Sequence, residues 1–329
     1  MQSVQTLAEG ILAGNRTLLA RAITLIESNV AKHEAPAREL VARLLPHTGR
    51  AKRIGISGVP GVGKSTFIEA LGLHLVHSGH KLAVLAIDPS STRTGGSILG
   101  DKTRMEQLSV EANAFIRPSP SGGTLGGVTR KTRESMLLCE AFGFDPILVE
   151  TVGTGQSETT VRSMVDFFLL LLAPHTGDEL QGIKKGIVEM ADAVVVNKAD
   201  GESLHAAERT RTEYHSALHY LHPATPGWKP PCLLASALHN DGIGDFWKTV
   251  EHFYQMLEPR GVLRERREQQ GVEWMLALVR EQLEQDFQRH AGVQPLLPKL
   301  GEQVRSGLVT PTEAAQQLLR AYRQPPVGG

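Results

Sequence analysis

The sequence predicts an α/β fold, a doubly wound and mostly parallel sheet with helical extensions before and after it. Three observations predict it. Short apolar runs alternate with helical stretches from about Lys52 to Pro259. Several of those runs are apolar throughout, as strands covered by helices on both faces must be. Outside that span both ends of the chain carry only helical spacing. Alternating strand and helix is the pattern that builds a parallel sheet. The expected domains are an N-terminal helical extension (1–50), an α/β domain (51–260) and a C-terminal helical segment (261–329).

Each element follows from local pattern. Leu18, Leu19, Ile23 and Ile26 recur at helical spacing behind Asn15, a suitable N-cap. A second helical stretch, 37–45, stops at Pro46, and His47-Thr48-Gly49 reads as a linker. Strands are expected at 53–57, 82–87, 147–149, 167–172, 193–196 and 232–235. Beyond Gly261 a helix carries Val272, Met275, Val279, Leu283 and Phe287 as one apolar stripe. That stripe suits either the chain's own core or a partner subunit. A last helix starts at Thr310-Pro311-Thr312-Glu313, a capping box with proline at the first helical position.

Composition narrows the class. Lys+Arg and Asp+Glu both number 35, so no basic field favours nucleic acid or an anionic membrane. A hydrophobic fraction of 41% is enough for a sizeable core and excludes wholesale disorder. Cys139 and Cys232 are too few and too scattered for a disulfide scaffold or a zinc cluster. The longest apolar run, 167–173, is far short of the ~20 residues that span a bilayer. The first residues lack the basic start and apolar block of a secretory signal. The expectation is a soluble cytoplasmic protein.

The chemistry begins at Gly58-Val59-Pro60-Gly61-Val62-Gly63-Lys64-Ser65-Thr66, which fits G-x-x-x-x-G-K-[ST] between an apolar strand and a helix. Its glycines let successive backbone N–H groups form an anion nest. Lys64 brings positive charge to the β/γ-phosphates, and the following helix turns its positive end toward them. The Ser65 hydroxyl is a hard oxygen ligand suited to Mg²⁺. These residues imply a nucleoside-triphosphate site.

Asn197-Lys198-Ala199-Asp200 follows a strand well downstream and selects the base. An aspartate carboxylate accepts from both N1–H and the 2-amino group of guanine, donors that adenine lacks there. Asn197 ties such a loop to the phosphate loop, and the Lys198 stem covers the purine. Ser236-Ala237-Leu238 fits the last base-contacting loop. Guanine is the expected base, with adenine beside an accidental N-K-x-D as the alternative.

Two further strands deliver acids at the ligand-binding edge of the sheet, Asp88 and Glu150. With Ser65 and Asp101 they form the candidate metal side, and which of Asp88, Asp101 and Glu150 touches Mg²⁺ stays open. Lys64, Glu150 and Asp101 are the candidate catalytic groups. Polar, glycine-rich segments at 92–104 and 175–186 are candidate switches, and Glu150 leads an E-x-x-G turn that can sense γ-phosphate. No glutamine directly follows that turn, and nothing selects among Arg93, Arg104 and Arg162 as an internal arginine finger. Unassisted hydrolysis slower than about 1 s⁻¹ is expected.

Taken in order, the motifs at 58–66, 88–91, 94–105, 150–158, 177–186 and 197–200 closely resemble the MeaB/ArgK family of SIMIBI-class P-loop GTPases, which includes the human methylmalonic aciduria type A protein. The likeness spans nearly the whole chain, and 94–105 (Thr-Gly-Gly-Ser-Ile-Leu-Gly-Asp-Lys-Thr-Arg-Met) is particularly specific. The resemblance implies a homodimeric GTPase chaperone of adenosylcobalamin-dependent methylmalonyl-CoA mutase. In that family the C-terminal helices are the dimerisation arm, and residues matching 177–185 form a further switch. Pro174-His175-Thr176-Gly177 stands where the family usually has P-G-x-G, and Thr154 replaces a common valine. Residues 239–242 are less glycine-rich than usual. Two alternatives are a kinase associated with basic amino-acid transport and a nickel metallochaperone; the latter needs clustered Cys/His ligands.

Overall fold

The computed structural model describes residues 2–88, 105–120, 125–151, 156–174 and 185–323. The strands are β1 (Arg53–Ser57), β2 (Leu82–Asp88), β3 (Ala114–Pro120), β4 (Ile147–Glu150), β5 (Phe167–Leu172), β6 (Ala193–Val196) and β7 (Cys232–Leu234). They form one sheet in the order β3-β2-β4-β1-β5-β6-β7, and every ladder is parallel. The predicted α/β class is borne out.

Before the sheet come α1 (Val4–Leu12), α2 (Arg16–Glu27) and α3 (Ala31–Leu44). Between strands lie α4 (Lys64–His77), α5 (Glu106–Val110), α6 (Leu125–Phe142), α7 (Gln156–Arg162), α8 (Lys185–Met190) and α9 (Leu204–Tyr220). After β7 follow α10 (Ile243–Leu257), α11 (Val262–Arg289), α12 (Leu296–Arg305) and α13 (Pro311–Arg323).

Strand side chains alternate between two apolar layers, as a period of two requires. Ile54, Ile56, Leu169 and Leu171 pack with α4 and α10. Phe168, Leu170, Leu85 and Val149 pack with α1, α2, α3 and α6. The chain leaves β1 toward one edge and later continues from β5 toward the other. The C-terminal ends of β1, β4 and β5 therefore flank the crevice where open α/β sheets bind ligands.

Two expectations change. β3 was not among the predicted strands, because Pro118 and Pro120 break its pattern. It lies at the sheet edge, where a missing N–H is tolerated. The helical stretch expected from 37 is α3, which starts at Ala31 and runs through Pro36. The proline removes one backbone bond, and burial of Ala37, Leu40 and Leu44 holds the helix together. The predicted cap is present, since Asn15 Oδ1 accepts from Thr17 N and Leu18 N, both at 3.1 Å.

The chain separates into two compact units, 1–270 and 271–329. In the second, Val272, Met275, Val279 and Leu283 are 49–55% exposed, while the Phe287 ring meets Tyr322 at 5.3 Å. Glu313 N donates to Thr310 Oγ1 at 3.2 Å, capping α13 as expected. No helix among the described residues is long and apolar enough to cross a membrane.

Two buried carboxylates fasten the first unit. Asp166, after α7, accepts from Arg267 Nε at 2.7 Å and Nη2 at 2.6 Å, from Tyr254 OH at 2.8 Å and from Arg53 N at 3.1 Å. Asp192, before β6, accepts from Arg162 Nη1 at 2.6 Å and Phe168 N at 2.9 Å. Burial opposes the charge of Asp166, but the Arg267 bonds and the nearby Arg53 outweigh it and hold the carboxyl below its usual range. Arg267→Ala is therefore expected to cost about 3–5 kcal/mol in urea unfolding at neutral pH, because it strips a buried charge of its partner. A depressed folded-state pKa gives stability above the ordinary aspartate value of about 4, lost as pH falls through the lower folded value. The gap between wild type and Arg267→Ala should accordingly close on acidification.

Candidate nucleotide-binding site

The loop between β1 and α4 turns tightly around its own lysine. Lys64, 9% exposed, donates from Nζ to Gly58 O at 2.7 Å and Val59 O at 3.2 Å. Its ammonium is thus held inside the ring of loop backbone. Val62, fully buried, pins the loop to the core shared by α4 and α10. Gly63 has φ +91°, and a Cβ there would lie 2.7 Å from Asn197 Nδ2. Only glycine fits that backbone and that approach.

Asn197 explains the closeness. Its Nδ2 donates to Val62 O at 3.0 Å, and its Oδ1 accepts from Ala237 N at 3.1 Å. One buried amide therefore joins the phosphate loop to both loops expected to meet the base. Lys198 has φ +59°, and its Nζ donates to Gly61 O at 2.8 Å. Ser236 Oγ donates to Asp200 Oδ2, which orients the carboxylate. Backbone bonds between Ser236 and Asp241, both 3.0 Å, close the last loop. A cleft of about 530 Å³ opens between α4 and this loop, lined by Thr66, Ala70, Leu73, His74, Ala237 and Leu238.

On the side where a metal was expected, Ser65 Oγ donates to Glu150 Oε1 at 3.3 Å. Glu150 ends β4 opposite Ile56 of β1 and is 9% exposed. Asp88 ends β2, two residues beyond Ala86, which pairs with Glu150. Asp101, Arg93, Arg104, the E-x-x-G glycine Gly153 and most of the 175–186 segment lie outside the described residues. Arg162 is not poised as a finger: it is bound to Asp192 at the far end of α7. Sequence reasoning gave no role to Ser57, Thr151 and Glu158, which are buried behind the phosphate loop. Thr151 and Glu158 lie within the 150–158 motif, but nothing local signals their burial.

Comparison with known proteins fits this geometry. The family model of the methylmalonyl Co-A mutase-associated GTPase MeaB matches residues 19–291. The chain belongs to the MeaB family. It is 56% identical over 319 residues to a Caulobacter vibrioides protein with a provisional GTPase name, covering 97% of this chain and 98% of that one. It is 46% identical over 330 residues to the mouse methylmalonic aciduria type A homolog, mitochondrial, covering 97% and 80% respectively. The crystal structure of a LAO/AO transport system kinase shares 36% identity at a TM-score of 0.78, covering 98% of each chain. This MeaB-family chain is a P-loop GTPase.

Proposed function

We propose that this GTPase is a slowly hydrolysing, nucleotide-dependent chaperone of an adenosylcobalamin-dependent methylmalonyl-CoA mutase, gating cofactor loading, protection or reactivation. The observation that carries the reading is the single amide of Asn197, which joins phosphate loop and base loops in a chain of the mutase-associated family. A site welded in this way changes little itself on hydrolysis, so nucleotide state must be read by the segments around it.

In this reading, backbone N–H groups of 58–66 and the Lys64 ammonium bind the phosphates. Asp200, held by Ser236, accepts the guanine donors, the Lys198 stem covers the ring, and Ala237 and Leu238 border the base. The donor set on the other side is hard oxygen, a serine hydroxyl beside a buried carboxylate, and fits Mg²⁺. Ser65, with Glu150, Asp88 and Asp101, would hold that ion, which supplies charge stabilisation at the phosphates when bound. Glu150 and Asp101 would position the attacking water. The exposed stripe Val272, Met275, Val279 and Leu283 supports α11 as a homodimer arm, in a protein working in the cytoplasm.

Affinity purification on a non-hydrolysable GTP analogue tests the proposal. A cobalamin-dependent mutase is expected to co-elute and to raise hydrolysis above the unassisted rate. The name of the related transport-system kinase is what a second reading, phosphoryl transfer, rests on. Labelled phosphate on an acceptor, with no mutase bound in any nucleotide state, would replace the chaperone reading with that one. Among the described residues no group of three or more His, Cys, Asp or Glu is placed to hold a metal cargo.

A further inference from the structure

Three polar side chains lie buried directly behind the phosphate loop, and the reading of the site above gives none of them a role. Ser57, the last residue of β1, is 1% exposed; Thr151, next after Glu150, is 0%; Glu158, in the first turn of α7, is 2%. Thr151 Oγ1 donates to Ser57 Oγ at 3.0 Å, and Ser57 Oγ donates to Glu158 Oε1 at 3.5 Å, the long end of hydrogen-bond reach. Thr151 N also donates to Ile56 O at 3.0 Å. On the same helix, Val161 lies against Gly55, where a Cβ would come within 2.7 Å of its Cγ1.

The direction of the protons follows from chemistry. An ionised carboxylate can only accept, so Ser57 must give its proton to Glu158 and is left to accept from Thr151. The chain of bonds thus has one polarity, set at its far end by Glu158. Burying three polar groups is unfavourable unless they are mutually satisfied, and satisfied networks are rigid.

We propose that Glu158 is a positioning residue for GTP hydrolysis, acting through Ser57 and Thr151 to hold Glu150 in register with Ser65 of the phosphate loop. The proposal rests on the reading of Glu150 given above. Displacement of a reacting group by about 1 Å can cost on the order of 100-fold in rate, so a tether one residue from Glu150 governs turnover rather than nucleotide affinity.

Single-turnover hydrolysis and GDP affinity should be measured on the full chain for Glu158→Ala, Glu158→Gln, Ser57→Ala, the Ser57→Ala/Glu158→Ala double variant and Glu150→Gln. Glu158→Ala and Ser57→Ala should each lower kcat about tenfold, the scale of one hydrogen bond, with GDP affinity within about threefold of wild type. Glu158→Gln retains the acceptor and should recover most of the rate. The double variant should be no slower than either single one, because both break one chain of bonds. Additive losses, an unchanged kcat in Glu158→Ala, or parallel loss of GDP affinity would overturn the proposal. If Glu150→Gln itself hydrolyses normally, the reading of Glu150 fails instead. A fall in Glu150→Gln beside a normal Glu158→Ala rejects the positioning role alone.

Discussion

Lys64→Ala should bind GTP and GDP at least about 1,000-fold more weakly than wild type, the loss of two to three charge-assisted hydrogen bonds. The lysine is held at the centre of the loop by Gly58 O and Val59 O, among the backbone groups proposed to bind the phosphates. Removing it deletes the one cationic side chain of the 58–66 loop. The remaining N–H groups still attract anions but carry only partial charge. Titration of a fluorescent GDP derivative measures this directly, with circular dichroism confirming the fold. A dissociation constant within tenfold of wild type would mean that the loop amides alone hold the phosphates.

Asp200→Asn should exchange guanine for xanthine. In the proposed site the carboxylate would accept from two donors on guanine, whereas an asparagine amide would present an N–H₂ group to the 2-oxo group of xanthine. Ser236 Oγ can still donate to the amide oxygen, so the side chain keeps its orientation. GTP affinity should fall on the order of 100-fold or more, as when a hydrogen-bonding site meets the wrong partner. Xanthosine triphosphate should gain affinity, and the weak affinity for ATP should barely move. Competition among the three nucleotides reads the outcome, and unchanged GTP binding would refute the assignment of the base to Asp200.

The loops that carry these two variants were legible because their chemistry is local. A left-handed glycine beside a lysine and an aspartate after a buried strand are readable within a few residues. The amide weld at Asn197 was expected in kind, but its acceptor Val62 O lies 135 residues away and its donor Ala237 N lies 40 away. Asp166 was invisible for the same reason, since its partner Arg267 is 101 positions distant. A buried aspartate and a surface one look alike until the cation facing it is known. β3 escaped because Pro118 and Pro120 argue against a strand everywhere except at an edge, and edge position is a property of the assembled sheet. Ser57 and Glu158 are ordinary residues whose burial only the packing of α7 on β1 creates.

The anchoring of Asp166 also decides where this protein can be cut. A fragment ending at 260, the edge expected from where the strand–helix alternation stops, ends before Arg266, Arg267 and Gln270. It would leave Asp166 without its guanidinium and Val165 O without the Gln270 amide that donates to it at 2.9 Å. Arg133 would lose its bond to Gln270 O as well. A fragment ending just after Gln270 keeps every one of these bonds. For spectroscopy or crystallisation of an isolated GTPase unit, the ten residues 261–270 separate a sample whose buried Asp166 lacks its bidentate guanidinium from one that keeps it.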